Sequence, residues 1–422
     1  MSGRRVTVVA SEILGVPGTG GPGAADSLLA LALARHGHDV RLLIAPGRKM
    51  DAPAHVWAQR YQDIGVTLHP IVGETRVRPA FLGPIYAVLE ELLRDPPDVV
   101  VADDWRGLAY AALRARQLGS GLQSTAFVVY CHGPARVLAE AARKVPDTFA
   151  RFGEEVAERA CLALADAVVS PSAWLLEWMR GHDWPVPESA QVVQYLWQSV
   201  ALGEPPPQAE AAPVRRLAFF GQLREGKGLA LYTRALQELD PALLDGRELL
   251  FLGRETPRWT TSRISEALGP VSGSVAAVRF ETQLDRSGAL RELLRPGTVA
   301  VMPSLVENSP LAVAECIEHA VPFLAARVGG VPDLVAPDDR SRVLCEPAVG
   351  DLTAALARVL DRPGPFAPAR PARSPEDSLR SWLELVEGVA PRYAMPPRRR
   401  RRRRWTSPSR GGVLSVRLRH RP

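Results

Sequence analysis

The stretch PSLVENSPLAVAECIEHAVPFLAARVGGVPD, from Pro303 to Asp333, decides how the rest of the chain reads. Just before it, Val299 to Met302 is an apolar run closed by Pro303-Ser304, the pattern of a short strand buried on both faces. Ser309 and Pro310 are expected as N-cap and first residue of the following helix, since a hydroxyl satisfies free amides there and proline tolerates the first turn. Glu307 then falls in the loop ahead of the helix and Glu315 in its second turn. A helix start offers unpaired N–H groups and partial positive charge, which suit a phosphate. Carboxylates beside it suit another task, accepting hydrogen bonds from sugar hydroxyls. A second strand, Phe323 to Val328, runs into Gly329-Gly330, where backbone can approach a ligand closely.

This segment resembles the retaining family 4 glycosyltransferases, which use nucleotide sugars and have the GT-B fold. Their signature is a glutamate, seven residues, a second glutamate and then a Gly-Gly loop, and Glu307, Glu315 and Gly329-Gly330 fall into it. The resemblance implies an α/β protein of two doubly wound Rossmann-like domains facing a central cleft.

Length and composition agree with that expectation. A chain of 422 residues suits two cores rather than one. No run of eighteen apolar residues marks a membrane span, and Val6 starts a strand with no apolar signal segment before it. A cytoplasmic protein is expected, with peripheral contact at the inner membrane face as an option. Cys131, Cys161, Cys316 and Cys345 have no metal-ligand spacing and read as buried free thiols. The net charge of +6 is misleading, because Pro391 to Pro422 holds twelve arginines and no acid. Without that segment the chain carries 40 basic against 46 acidic residues. Seven consecutive arginines, Arg398 to Arg404, repel one another and are expected to be disordered, with anionic surfaces as the natural contact.

Strand and helix patterns alternate through residues 1–201, and a proline-rich linker, 202–213, separates them from a second alternation over 214–374. A helix over 375–390, holding Trp382, is expected from the resemblance to return to the first domain; residues 391–422 form the tail.

Each half adds motifs. Gly18-Thr19-Gly20-Gly21 follows the first strand and opens a helix, freeing backbone N–H groups for an anion or a sugar. The longer string through Asp26 to Arg35-His36-Gly37-His38-Asp39-Val40 resembles the start of the starch and glycogen synthase catalytic domain. Asp103-Asp104-Trp105 resembles the His-Asp-Trp segment of those synthases, with Asp103 where the His would be. His132, in Tyr130-Cys131-His132-Gly133, ends a buried strand and matches the family's His, which implies contact with the donor sugar near the anomeric carbon. In the second half Gly221-Gln222-Leu223-Arg224-Glu225-Gly226-Lys227-Gly228 resembles the family's Gly-Arg-Leu…Lys-Gly element, whose two cations grip the diphosphate. Lys227 matches. Gln222 replaces the usual arginine and brings neither its charge nor its bidentate fork, so Arg224 is the candidate to compensate.

The resemblance therefore implies a retaining glycosyltransferase with a nucleotide-sugar donor, no metal and no further cofactor. Catalytic roles fall to His132, Glu307 and Lys227. Donor binding falls to Gly18, Thr19, Gly20, Gly21, Gln222, Arg224, Lys227, Ser309, Pro310, Leu311 and Glu315. The acceptor, a glycan, a lipid-linked or a small molecule, is left open. The alternative reading is a weakly active or non-catalytic protein that binds nucleotide sugars, motivated by Gln222 and the arginine tail; an epimerase is a further rival.

Overall fold

A computed structural model of the chain describes residues 3–14, 20–46, 54–72, 77–141, 144–145, 147–203 and 205–392. Gly18, Thr19 and the arginine run lie outside them.

Among the described residues thirteen strands form two separate, wholly parallel sheets. The first contains β1 (Arg5–Ala10), β2 (Asp39–Ile44), β3 (Val66–Pro70), β4 (Val99–Asp103), β5 (Ala126–Tyr130), β6 (Ala167–Ser170) and β7 (Gln191–Val192), in the order β3-β2-β1-β4-β5-β6-β7. The second contains β8 (Arg216–Phe220), β9 (Glu248–Leu252), β10 (Ala277–Glu281), β11 (Thr298–Met302), β12 (Phe323–Ala326) and β13 (Leu344–Cys345), in the order β10-β9-β8-β11-β12-β13. The apolar runs explain the parallel arrangement. Val99-Val100-Val101-Ala102 and Phe127-Val128-Val129-Tyr130 are buried on both faces, because crossover helices cover both sides of the sheet. Val6 and Val8 point into one layer of core and Val9 into the other, as the two-residue strand period requires.

The chain order reverses between β1 and β4 in the first sheet and between β8 and β11 in the second. Neighbouring strands there send their outgoing loops to opposite sides and leave a crevice at the carboxyl ends, where doubly wound proteins bind ligands. Loops 221–228 and 303–310 flank the second crevice; the loops after β1 and β4 flank the first.

The helix Pro375–Gly388 packs on the first sheet. Trp382 is wholly buried with its ring 4.7 Å from that of Tyr130. Arg4 Nη1 donates to the carbonyls of Val386 (2.6 Å) and Val389 (2.8 Å), satisfying acceptors that a helix end leaves open. Arg392 N–H then donates to Asp166 Oδ1 at 2.7 Å. The linker runs along the end of the helix Leu311–Glu318, where Ala209 N–H donates to the His319 carbonyl at 2.8 Å. Among the described residues no helix is long and apolar enough to cross a membrane.

Candidate active site

Two loops from the second crevice are held together by backbone. Leu305 N–H donates to the Gly226 carbonyl at 3.0 Å. Gly228 has φ +75°, and a Cβ there would lie 1.8 Å from the Pro303 carbonyl oxygen, so only glycine allows this approach. The contact brings together side chains eighty positions apart: Lys227 Nζ pairs with Glu307 Oε1. Both line a pocket with Phe220, Gly221, Ser304 and Pro310. Gly329 supports the glutamate from behind. Its φ is +53°, and an added Cβ would stand 1.6 Å from the Glu307 carbonyl oxygen.

The helix beside the pocket begins one residue later than expected. Pro310 has extended geometry, φ −71° and ψ 119°, and is the N-cap; Leu311 is the first helical residue. Ser309 therefore does not cap. Its hydroxyl is buried and finds no protein hydrogen-bond partner. Gln222 and Arg224 are both exposed, with Leu223 buried between them, and neither lines the pocket. Lys227 is thus the one cation lining it among the described residues. Glu315 sits in the second turn as expected, but its carboxylate pairs with Arg286 Nη2 at 2.8 Å. Burial raises its pKa, partly offset by Arg286.

On the first domain, Gly20 is the N-cap of the helix Gly21–Arg35, and its N–H donates to Glu12 Oε1 at 2.8 Å. Glu12 thus occupies one amide of the glycine loop, a contact with no advance signal in the motif.

His132 lies deeper than the sequence suggests. Its Nδ1 is 2.9 Å from the Tyr195 hydroxyl, and its Nε2 is 3.1 Å from both Asp26 Oδ1 and Asp103 Oδ1. Both ring nitrogens are therefore engaged within the first domain. Burial alone would favour neutral imidazole, but Tyr195 and the two carboxylates outweigh it and hold His132 protonated well above its ordinary range. Asp26 moves the same way, through burial and the neighbouring charge of Asp103. Asp104 takes another job: its carboxylate accepts the backbone N–H of His132 (2.8 Å) and of Gly133 (3.2 Å) and fixes the loop after β5. Burial pushes Asp104 up to about 6 and, behind it, Glu158 up to about 8.

Asp26, Asp103 and His132 are also the grouping with metal-ligand character among the described residues, their ligand atoms lying within 4.8 Å of one another. The imidazolium already offsets one carboxylate charge, and the raised pKa of Asp26 lowers the other. Cys131, beside His132, is buried and its thiol is pushed up by burial, which suits an inert thiol.

The His132 loop meets the Glu307 loop directly. Asn308 Nδ2 donates to the His132 carbonyl at 3.1 Å, and Ser172 Oγ donates to Asn308 Oδ1 at 2.5 Å. Asp333 Oδ2 accepts from Ala173 N–H at 3.1 Å. The loops around Glu307 thus carry a contact with the first domain as well as a pocket, and motif reading assigned no role in it to Asn308 or Asp333.

The pattern of Glycosyltransferase Family 4 matches residues 27–194, and that of Glycosyl transferases group 1 matches residues 214–362. The chain belongs to the family 4 glycosyltransferases of the GT-B fold. The MMP alpha-(1->4)-mannosyltransferase of Mycolicibacterium hassiacum is 35% identical over 104 residues, 23% of this chain and 25% of that protein. The chain spans between a quarter and about half the length of the curated relatives it matches. Among solved structures, sucrose-phosphate synthase of Thermosynechococcus elongatus has a TM-score of 0.60 at 16% identity, covering 91% of this chain and 96% of that one. The catalytic domain of starch synthase IV from Arabidopsis thaliana, bound to ADP and acarbose, has a TM-score of 0.58 at 16% identity, covering 92% and 96%. These two share the fold.

Proposed function

We propose that this family 4 protein is a glycosyltransferase that moves a sugar from a nucleotide-sugar donor to an acceptor hydroxyl with retention of anomeric configuration. The meeting of Lys227 with Glu307 at the second crevice carries this reading. A donor diphosphate entering the pocket competes with Glu307 for the lysine. The ammonium then neutralises charge growing on the leaving phosphate, while the freed carboxylate accepts hydrogen bonds from sugar hydroxyls. The amides at the start of the helix Leu311–Glu318 add partial positive charge on the same side. A nucleotide in a structural neighbour, the ADP of the starch synthase, agrees with this class of donor.

His132 stands on the other lip with its ring held by Tyr195, Asp26 and Asp103, and its carbonyl, bonded to Asn308, fixes that loop against the loop of Glu307. The bond from the anomeric carbon to the phosphate oxygen breaks, and a bond to the acceptor oxygen forms on the same face. The acceptor proton leaves with the diphosphate. Glu307, once released from Lys227, is committed to sugar recognition, so same-face departure and attack fits better than a covalent carboxylate intermediate.

Incubation with UDP-, GDP-, ADP- and TDP-sugars, followed by nucleotide release and by NMR of the product's anomeric proton, tests this. Release that depends on an acceptor, with unchanged configuration, is expected; an inverted product refutes retention. Exposed Gln222, in place of a pocket arginine, favours a second reading, a protein that binds nucleotide sugars with little turnover. Tight binding with no release for any acceptor supports that one.

A further inference from the structure

One ion pair beside the Lys227 pocket carries a donor that no step above uses. Arg286 is the first residue of the helix Arg286–Leu293, which follows β10. Asp285 caps that helix, its Oδ1 accepting the Gly288 N–H at 2.7 Å, and so fixes where the Arg286 side chain starts from. The guanidinium reaches Glu315 on the helix Leu311–Glu318, Nη2 to Oε1 at 2.8 Å. The contact ties the loop after β10, at the edge of the second sheet, to the helix after β11 in its middle. Glu315 belongs to the glutamate motif; Arg286 lies outside it.

A pair that only braced two helices would need no spare donor. Here Arg286 Nη1 is buried and finds no protein hydrogen-bond partner. A buried charged donor left unmade is costly, and an acceptor oxygen brought by a ligand removes that cost. The two side chains keep 28% and 15% of their surface open, so a ligand can touch them. Their place says which part of a ligand does so. Ala312 lines the Lys227 pocket, and Glu315 stands three positions later on the same face of the helix. Along the axis that is ~4.5 Å. A nucleotide whose phosphates meet Lys227 and the helix start therefore has its ribose next in line, against Glu315 and Arg286.

The chemistry fits the place. A carboxylate accepts from hydroxyls and a guanidinium donates to their oxygens, so together they match the neighbouring hydroxyls of a ribose. Arg286 also keeps Glu315 an acceptor, since burial raises the carboxyl pKa and the guanidinium opposes that rise. We propose that Arg286 is a specificity residue of the donor site: with Glu315 it reads the ribose hydroxyls and restricts the donor to ribonucleoside diphosphate sugars. A deoxyribonucleotide lacks the oxygen that Arg286 Nη1 would meet, leaves that donor unpaired in the complex, and is rejected for this reason. The inference rests on the nucleotide-sugar reading above.

The test is calorimetric titration of the full chain with UDP, GDP and ADP, each beside its deoxyribose counterpart. Wild type binds one ribonucleotide at least about tenfold more tightly than the matching deoxyribonucleotide. Arg286→Met brings that ratio to about threefold or less by weakening the ribonucleotide alone, with affinity for the deoxy form unchanged. Arg286→Lys keeps a cation beside Glu315 but not the planar fork, and its ratio falls at least about threefold below that of wild type. Thermal unfolding of both variants is followed alongside, and where Arg286→Met fails to fold Arg286→Lys decides. Equal binding of the two nucleotides by wild type overturns the inference and leaves the nucleotide-sugar reading intact. A preference kept in full by Arg286→Met, or by Arg286→Lys where the first variant is unfolded, overturns it too. Equal weakening of both nucleotides in Arg286→Met reduces the pair to a brace between helices and is a third refutation. No binding of any nucleotide overturns both readings together.

Discussion

Replacing Gly329 by alanine probes the pocket without touching any group assigned to chemistry. The added Cβ would begin 1.6 Å from the Glu307 carbonyl oxygen. Nonbonded contacts of this kind scarcely fall below 3.0 Å, so the Glu307 backbone must retreat by about 1.4 Å or the glycine loop must open by as much. The φ of +53° adds ~1 kcal/mol of left-handed strain for a residue with a side chain. A shift of ~1 Å at a positioning group costs about a hundredfold in rate. Nucleotide release by Gly329→Ala is therefore expected to drop about a hundredfold, with only ~1–2 kcal/mol lost from stability. The control is Gly350→Ala. Gly350 is helical and exposed, an added Cβ meets nothing within 4 Å, and the change is neutral or stabilising by up to ~1 kcal/mol. Parallel measurement of release rates and thermal unfolding decides the matter. Full activity in Gly329→Ala would refute the claim that this loop places Glu307.

Other outcomes follow from single contacts. Asp166 pairs with buried Arg116 and accepts the N–H of Phe127 at 2.7 Å, so Asp166→Ala takes the neutralising carboxylate from a buried guanidinium and lowers stability by ~3–5 kcal/mol in urea unfolding. Glu158 holds its proton up to about 8 in the folded chain, against 4.5 as its ordinary value. Its raised folded pKa means that stability is full below the ordinary value and falls as pH rises toward 8. Glu158→Gln is expected to remove that component, so the stability difference between variant and wild type widens in the variant's favour across this window. Gln222→Arg returns a cation to the loop 221–228 that carries Lys227 and is expected to raise nucleotide release; a decrease would show that Gln222 is fitted to its donor.

Much of the architecture could be read from the residues because parallel strands buried on both faces advertise themselves. Arg216–Phe220, Thr298–Met302 and Ala167–Ser170 appear at or within one residue of their apolar runs. Two-residue β7 and the short helices Ala54–Gln62 and Ala135–Ala141 gave no such signal, since their place depends on packing rather than on periodicity. Ser309-Pro310 has the right residue types for a cap, but the ψ of Pro310 delays the helix, a choice made by the loop's contacts and not by local preference. Lys227 and Glu307 were legible as two separate motif elements, while their pairing across eighty positions was not. The enclosure of His132 was not. It depends on Asp26 and Tyr195, which lie 106 and 63 positions away, and the one hint was an acid among small and apolar residues in Ala24-Ala25-Asp26-Ser27-Leu28.

The central claim is that Lys227 holds the diphosphate of a nucleotide-sugar donor, and calorimetric titration of UDP, GDP, ADP and TDP into wild type and Lys227→Ala tests it most directly. The account predicts that wild type binds one of these nucleotides and that Lys227→Ala binds it at least about tenfold more weakly, the loss of one charge-assisted contact to phosphate. Equal affinity in the two proteins, or no nucleotide binding by wild type, would contradict it.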